Sequence, residues 1–362
     1  MQDAQLAVWI TLLAVPGIGL VIANRLYALV NDWSAASSLS VDDWMRFQVT
    51  RAMAEDIAKT FSNNSAWEQI KLVREQGIGV MMIHDHDYPP LLRHIHLPPV
   101  ALFYLGERPR VNPGVAVVGT RKATSYGIKV AKDLAAYLSQ YDVPIVSGLA
   151  LGIDAAAHKG ALIANGYTIA VLGSGVSRIY PSANQRLASE ILSAGGTIIS
   201  EYLPHTQPHR AYFPVRNRII SGLAKALVVV EAGKRSGAHI TAAYAVQQNR
   251  DVYAVPGSIY STVSQGTNEL LMDGAIPLYS FAYLAENLGL LPIQNASTAD
   301  DREVEDEWEQ RICAELALGV KSLMELHTLL GMLNVTELGI RLGELELEGK
   351  VRRSADGRYT LA

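Results

Sequence analysis

The sequence predicts an α/β protein with a doubly wound, mostly parallel sheet, preceded by a helical domain and followed by a small helical-and-hairpin domain. Two observations carry this. From residue 113 to about 290, seven short apolar runs alternate with helical patterns: VAVVG (115–119), PIVSG (144–148), TIAVLG (168–173), TIIS (197–200), ALVVVE (226–231), DVYAV (251–255) and AIPLY (275–279). Each run is nearly continuous Val, Ile or Leu, which suits strands covered on both faces by helices. Glycine-rich turns follow several of them, as in the Rossmann-like folds that bind ligands at the carboxyl ends of their strands.

The other segments follow in order. Residues 1–75 read as short helices with polar breaks, and the stretch 77–110 is too rich in proline for long helices. Residues 76–290 form the expected Rossmann-like domain. The polar, acidic stretch 291–307 reads as a linker. Residues 308–362 carry three helical patterns and an Asp356-Gly357 turn between short strands, the outline of a winged helix. The uncharged run 6–23 imitates a membrane anchor. It lacks a preceding basic region, contains Pro16-Gly17, and divides into two amphipathic pieces, one with Leu6, Trp9, Ile10 and Leu13, the other with Ile22, Leu26 and Leu29. A soluble cytoplasmic protein without a membrane role is expected.

Composition bounds the function. With 49% hydrophobic and 18% charged residues the chain is globular, and its one cysteine, Cys313, excludes an intramolecular disulfide. A formal net charge of −4 means that contact with a polyanion must come from a local basic surface.

Signatures of enzymes are missing. In GSGVSR (173–178) an arginine, Arg178, stands where a dinucleotide loop wants its third glycine, and EAGKRSG lacks the rest of a phosphate-binding P-loop. No G-x-S-x-G elbow occurs, and Ser147, Asp154 and His158 make no recognisable triad; His158 reads as an ordinary helix residue. HDHDYPP (84–90) has no second ligand pair at a metal-binding spacing and reads as a turn. No metal or cofactor is expected.

The positive signal is basic and aromatic. Between Glu201 and Glu231 there is no acid, while Arg210, Arg216, Arg218 and Lys225 stand beside Tyr202, Tyr212 and Phe213, with Lys234 and Arg235 just beyond. Guanidinium groups that track phosphates and rings that stack on bases suit single-stranded nucleic acid; a solvated basic face beside an acidic partner subunit is the alternative. The turn in VPGIGLVIANRL (15–26) resembles that of a helix-hairpin-helix, which is either a DNA contact or a structural hairpin. In the last helical pattern, Glu337, Glu344, Glu346 and Glu348 outnumber Arg341, so phosphates would repel it as a groove-reading helix; Lys350, Arg352 and Arg353 follow it.

Five ordered motifs resemble the DNA-processing DprA/Smf family: VVGTRKATSYG (117–127), SGLALGIDAAAHKGAL (147–162), FPVRNRIISGL (213–223), VVEAGKRSGAHITAAYA (229–245) and AVPGS (254–258). The resemblance implies a non-enzymatic homodimer that binds incoming single-stranded DNA in natural transformation, protects it and helps load the RecA recombinase. It also implies a DNA-binding set of Gly119, Thr120, Arg121, Lys122, Ser147, Gly148, Phe213, Arg216, Asn217, Arg218, Ser236 and Gly237. On this reading Arg121 and helix N-termini take phosphates, Phe213 stacks or wedges, and Arg216 and Arg218 extend the track. Leu151 departs from the family, where many relatives carry a basic residue. The rival readings are a nucleotide-processing enzyme similar to Rossmann-like phosphoribohydrolases and a regulator that binds duplex DNA.

Overall fold

The computed structural model describes residues 2–30, 36–62, 65–290, 309, 311–330, 334–347, 349–354 and 357–362. The expected linker and Asp356 lie outside them, as does Glu348. Two compact units result, Met1–Pro292 and Ile293–Ala362.

The first unit opens with five helices, α1 (Gln2–Ala14), α2 (Leu20–Leu29), α3 (Val41–Met45), α4 (Arg51–Phe61) and α5 (Ser65–Glu75). Ser40 and Thr50 cap α3 and α4 by accepting the amides of Asp43 and Met53. The apolar run that imitates a membrane anchor is explained by α1. Leu6, Val8, Trp9, Ile10 and Leu12 are all buried, so the helix is enclosed nearly all round instead of being amphipathic. Among the described residues no helix is long and apolar enough to cross a membrane.

All seven expected strands are present: β3 (Gly114–Val118), β4 (Ile145–Ser147), β5 (Thr168–Val171), β6 (Thr197–Ser200), β7 (Ala224–Val229), β8 (Asp251–Ala254) and β9 (Ile276–Pro277). Two more come before them, β1 (Gly79–Met82) and β2 (Ala101–Gly106), with the short α6 (Pro90–Arg93) between. The proline-rich segment therefore also holds sheet. The order is β1-β2-β6-β5-β4-β3-β7-β8-β9, antiparallel at the β1-β2-β6 edge and parallel elsewhere. Phe103 of β2, Ala101 and Val100 share one core with the helices before residue 75, so the first helical region packs on the edge of the sheet.

The helices between the parallel strands are α7 (Ser125–Ser139), α8 (Ile153–Ile163), α9 (Gln185–Ser193), α10 (Tyr212–Gly222), α11 (Gly237–Gln247) and α12 (Gln265–Met272), with α13 (Phe281–Asn287) after β9. Alternate residues of β3 serve the two faces. Val115 and Val117 join α7 and α8, while Ala116 and Val118 join α10 and α11. From β3 the chain winds outward through β4, β5 and β6, then returns to place β7 on the other side of β3. That reversal is the topological switch point of a doubly wound sheet.

The second unit has helical residues at 311–317, Leu323–Leu330 and Val335–Leu347, then an antiparallel hairpin of β10 (Val351–Arg353) and β11 (Tyr359–Leu361). Ile312, Leu316, Leu326, Leu338, Leu342 and Tyr359 belong to its core. Arg341 pairs with Glu344 at 3.7 Å, and Arg352 and Arg353 are exposed.

Candidate nucleic-acid interface

A cleft of about 840 Å3 opens at the carboxyl ends of the strands around the switch point, walled by α10 and the start of α11. Its chemistry follows from how three strand–helix turns satisfy their amides.

After β3, the α7 N-terminus is filled by the protein itself. Glu231 is 2% exposed and accepts the Thr124 amide at 2.9 Å and the Thr124 hydroxyl at 2.5 Å. Thr124 Oγ1 in turn accepts the Gly127 amide at 3.2 Å. A Cβ on Gly127 would run into the Glu231 carboxyl, which explains the glycine at the end of VVGTRKATSYG. The carboxylate complements the helix dipole and excludes a phosphate from the place where a dinucleotide-binding fold holds one. After β4, Asp154 plays a similar part and accepts the Gly148 and Ala150 amides at 3.1 and 3.4 Å. Burial raises the pKa of Asp154, although the nearby Arg216 pulls the other way.

The turn after β7 is different. Ser236 caps α11 through the Ala238 amide at 3.3 Å, and a Cβ on Gly237 would meet nothing within 4 Å. Lys234 and Arg235 precede it, both exposed. This helix N-terminus faces the cleft with cations beside it, Lys234 lying 3.7 Å from Glu269, and among the described residues no carboxylate accepts its amides, an arrangement that favours an anion.

On the opposite wall, Phe213, Arg216, Asn217 and Ile220 line the cleft at the i, i+3, i+4, i+7 spacing of one helix face. Arg121 is exposed, and its guanidinium carbon stands 5.7 Å from the centre of the Phe213 ring. Phe213 packs on Gly173, where a Cβ would come within 2.7 Å of the ring.

Several expected site residues prove to be framework. Arg216 reaches the cleft but is only 4% exposed, and it donates to the Gly148 carbonyl at 2.9 Å and to the Val171 carbonyl. It braces the ends of β4 and β5. Burial brings its pKa down to about 10, opposed by Asp154 and helped by Arg121, so it remains charged at neutral pH. Arg218 is not in the cleft. Two positions along from Arg216, it faces the other side of α10 and forms a bidentate pair with Glu201 at 2.7 and 2.6 Å. Its charge is taken up there by Glu201. Ser147 is fully buried and donates to the Val117 carbonyl at 2.6 Å. Gly148 lies beneath Arg216, where a Cβ would approach the guanidinium to 2.7 Å. Gly119, Thr120, Asn217, Ser236 and Gly237 line the cleft, while Lys122 is exposed outside the lining.

Arg210, Lys234 and Arg235 also line it, and their cluster of charge was visible in the sequence. Tyr180, on the connection after β5, and Asp154, in the first turn of α8, are also in the lining. The histidine of α8 and the acidic turn before α6 have structural roles. His158 is fully buried against the Thr168 hydroxyl at 2.7 Å and kept neutral, its pKa pushed down to about 3 by burial and Arg216. Asp85 and Asp87 of the HDHD turn bind Arg108.

Residues 79–289 match the family described as DNA recombination-mediator protein A. Over 302 residues the chain is 38% identical to the protein Smf of a Synechocystis species, covering 81% of this chain and 75% of that one. It is 36% identical to the DNA processing protein DprA of Bacillus subtilis, covering 72% and 89% of the two chains. The solved DNA processing protein A of Streptococcus pneumoniae superposes with a TM-score of 0.56 at 36% identity, over 74% of this chain and 98% of that one. The Helicobacter pylori protein, whose structure was described for its single-stranded DNA binding mode, gives 0.51 at 30% identity, over 57% and 98%. With the family match over the sheet domain, relatives at these identities and the mostly parallel sheet shared with the solved structures, the chain belongs to the DprA/Smf family of DNA recombination mediators.

Proposed function

We propose that the switch-point cleft grips single-stranded DNA without reading its sequence. The observation that carries this is one open cleft holding Arg121, Arg210, Lys234 and Arg235, the α11 N-terminus and an aromatic ring. Cations and helix-end amides suit a phosphate chain, and a ring suits unpaired bases. The protein so read is non-enzymatic, protects incoming DNA in the cytoplasm during natural transformation and hands it to RecA, and acts as a homodimer. The family match and the solved relative titled for single-stranded DNA binding support that reading. The first helices serve as a helix-hairpin-helix-like domain and residues 308–362 as a winged-helix-like one.

Arg121→Ala tests the cleft. It is expected to weaken binding to all sequences alike and to reduce the slope of log affinity against log salt by about 0.7, one single-strand phosphate contact. Anisotropy titrations at several salt concentrations measure both, with duplex and mononucleotide as competitors. Unchanged affinity and slope would remove Arg121 from the site; efficient competition by duplex or mononucleotide would favour a different ligand.

Gly173→Ala probes the ring. The added methyl drives Phe213 off its seat, and because Phe213 is only half-buried it can yield outward. Single-strand affinity should fall about 5- to 10-fold, the lower end of the range of one base–aromatic stack, with little change in melting temperature.

A further inference from the structure

Behind the wall of the cleft lies a second, smaller cavity. It measures about 160 Å3, is largely enclosed, and sits between α2, the segment after α6, and α10 and α11. Helix α10 serves both spaces. Phe213 and Arg216 line the cleft, while Val215 and Arg218 line the cavity.

The cavity walls are mostly apolar, with Val21, Leu97, Val215 and Tyr244 among them. One wall is fixed by the backbone. Leu97 has φ 55°, a left-handed conformation that leucine seldom adopts, and its carbonyl accepts Arg218 Nε at 3.0 Å. The Arg218 charge is neutralised by Glu201, so that side chain brings no free charge to the cavity. Gln248, also in the lining, donates Nε2 to the Arg218 carbonyl at 3.0 Å, which sets the orientation of its amide. Its Oε1 is then left buried, with no hydrogen-bond partner among the described residues. An acceptor buried without a donor is costly, and native structures leave few of them.

We infer that this cavity binds a compact neutral molecule, about the size of one aromatic ring, that donates a single O–H or N–H to Gln248 Oε1. The size follows from the volume, since an apolar cavity of about 150 Å3 takes benzene. Neutrality follows from the Arg218–Glu201 pair. The donor follows from the orphaned oxygen. A water molecule supplies the donor but gains nothing from the apolar walls, whereas a ring with one donor satisfies both. The site is separate from the cleft and does not depend on what the cleft binds.

The experiment uses the full chain and two probes of the same shape, phenol and toluene, followed by calorimetry and by melting temperature. The wild type should bind both. Phenol at ten times its dissociation constant should raise the melting temperature by about 2–4 °C. Gln248→Met keeps the bulk and removes the acceptor, and it should lower the affinity for phenol relative to toluene about 2- to 12-fold, the worth of one hydrogen bond. Val21 is an exposed member of the lining, so Val21→Trp should fill the mouth and exclude both probes. A saturating oligothymidylate should displace neither. A wild type that binds neither probe overturns the inference, and so does a phenol-to-toluene ratio that Gln248→Met leaves unchanged. Binding that survives Val21→Trp, or that oligothymidylate displaces, puts the probes elsewhere and overturns it as well. The reading of the cleft stands or falls separately, on Arg121→Ala.

Discussion

Glu201→Ala should destabilise the first unit by about 3–5 kcal/mol, the cost of stripping one partner from a buried ion pair. The side chains of Glu201 and Arg218 are 1% and 5% exposed, and two short hydrogen bonds join them. Burial opposes the Arg218 charge most strongly, but Glu201 with Tyr202 and Tyr88 together outweigh it, and the net effect raises the pKa of Arg218. Without Glu201 the guanidinium keeps, among the described residues, the carbonyls of Leu97 and Val215, at 3.0 and 3.1 Å, and no carboxylate in ion-pair contact. Urea denaturation followed by tryptophan fluorescence reads this unit through the buried Trp9 and Trp44. The double variant Glu201→Leu with Arg218→Met should recover most of the loss, because two apolar side chains of similar volume remove the desolvation problem along with the pair. Folded Glu201→Ala should show the wild-type salt slope on single strands, in contrast to Arg121→Ala. A cost below about 1 kcal/mol, the value typical of exposed pairs, would show that the pair is more hydrated than its burial indicates.

The case of Arg218 shows what could be read in the sequence and what could not. The seven parallel strands were legible because strands buried on both faces spell themselves in Val, Ile and Leu. Strand β2, ALFYLG, has the same apolar character but sits after Pro98-Pro99, and its antiparallel partner β1 is only four residues long. Proline masked it. In the site, Gly119, Thr120, Arg121, Phe213, Asn217, Ser236 and Gly237 were marked by motif and do line one cleft. Arg216 and Arg218 were marked by the same FPVRNRIISGL motif and by charge, and neither says which way a side chain points. Two positions apart on a helix means opposite sides, so helical phase was the available signal and it was overruled by motif and charge. Asp154 lay in a quoted motif without being assigned to the site, and Tyr180 had no such signal: it reaches the cleft because the sheet sets the ends of β5, β4 and β3 side by side in that order.

Glu231→Ala is the sharper test of why this turn is not a dinucleotide loop. The buried carboxylate holds the Thr124 amide and hydroxyl, and among the described residues no cation lies within ion-pair distance of it. Its stabilisation therefore comes from charge-assisted hydrogen bonds and the dipole of α7. Its removal should cost about 2–4 kcal/mol, from lost hydrogen bonds to a charged group and an orphaned amide at the N-terminus of α7. The variant also empties the space against Gly127 that the carboxyl fills, which makes the helix end an anion site. Adding inorganic phosphate should then raise the melting temperature of Glu231→Ala more than that of the wild type, whose own carboxylate repels the ion. Potassium chloride at matched ionic strength controls for screening, and Glu231→Gln, which keeps the shape without the charge, should fall between the two. A loss without selective rescue by phosphate would show that Glu231 only fills space there. A selective rescue would show that the protein occupies, with its own side chain, the position where related folds hold a nucleotide, leaving the open N-terminus of α11 and the cations of the cleft to take the phosphates of a strand.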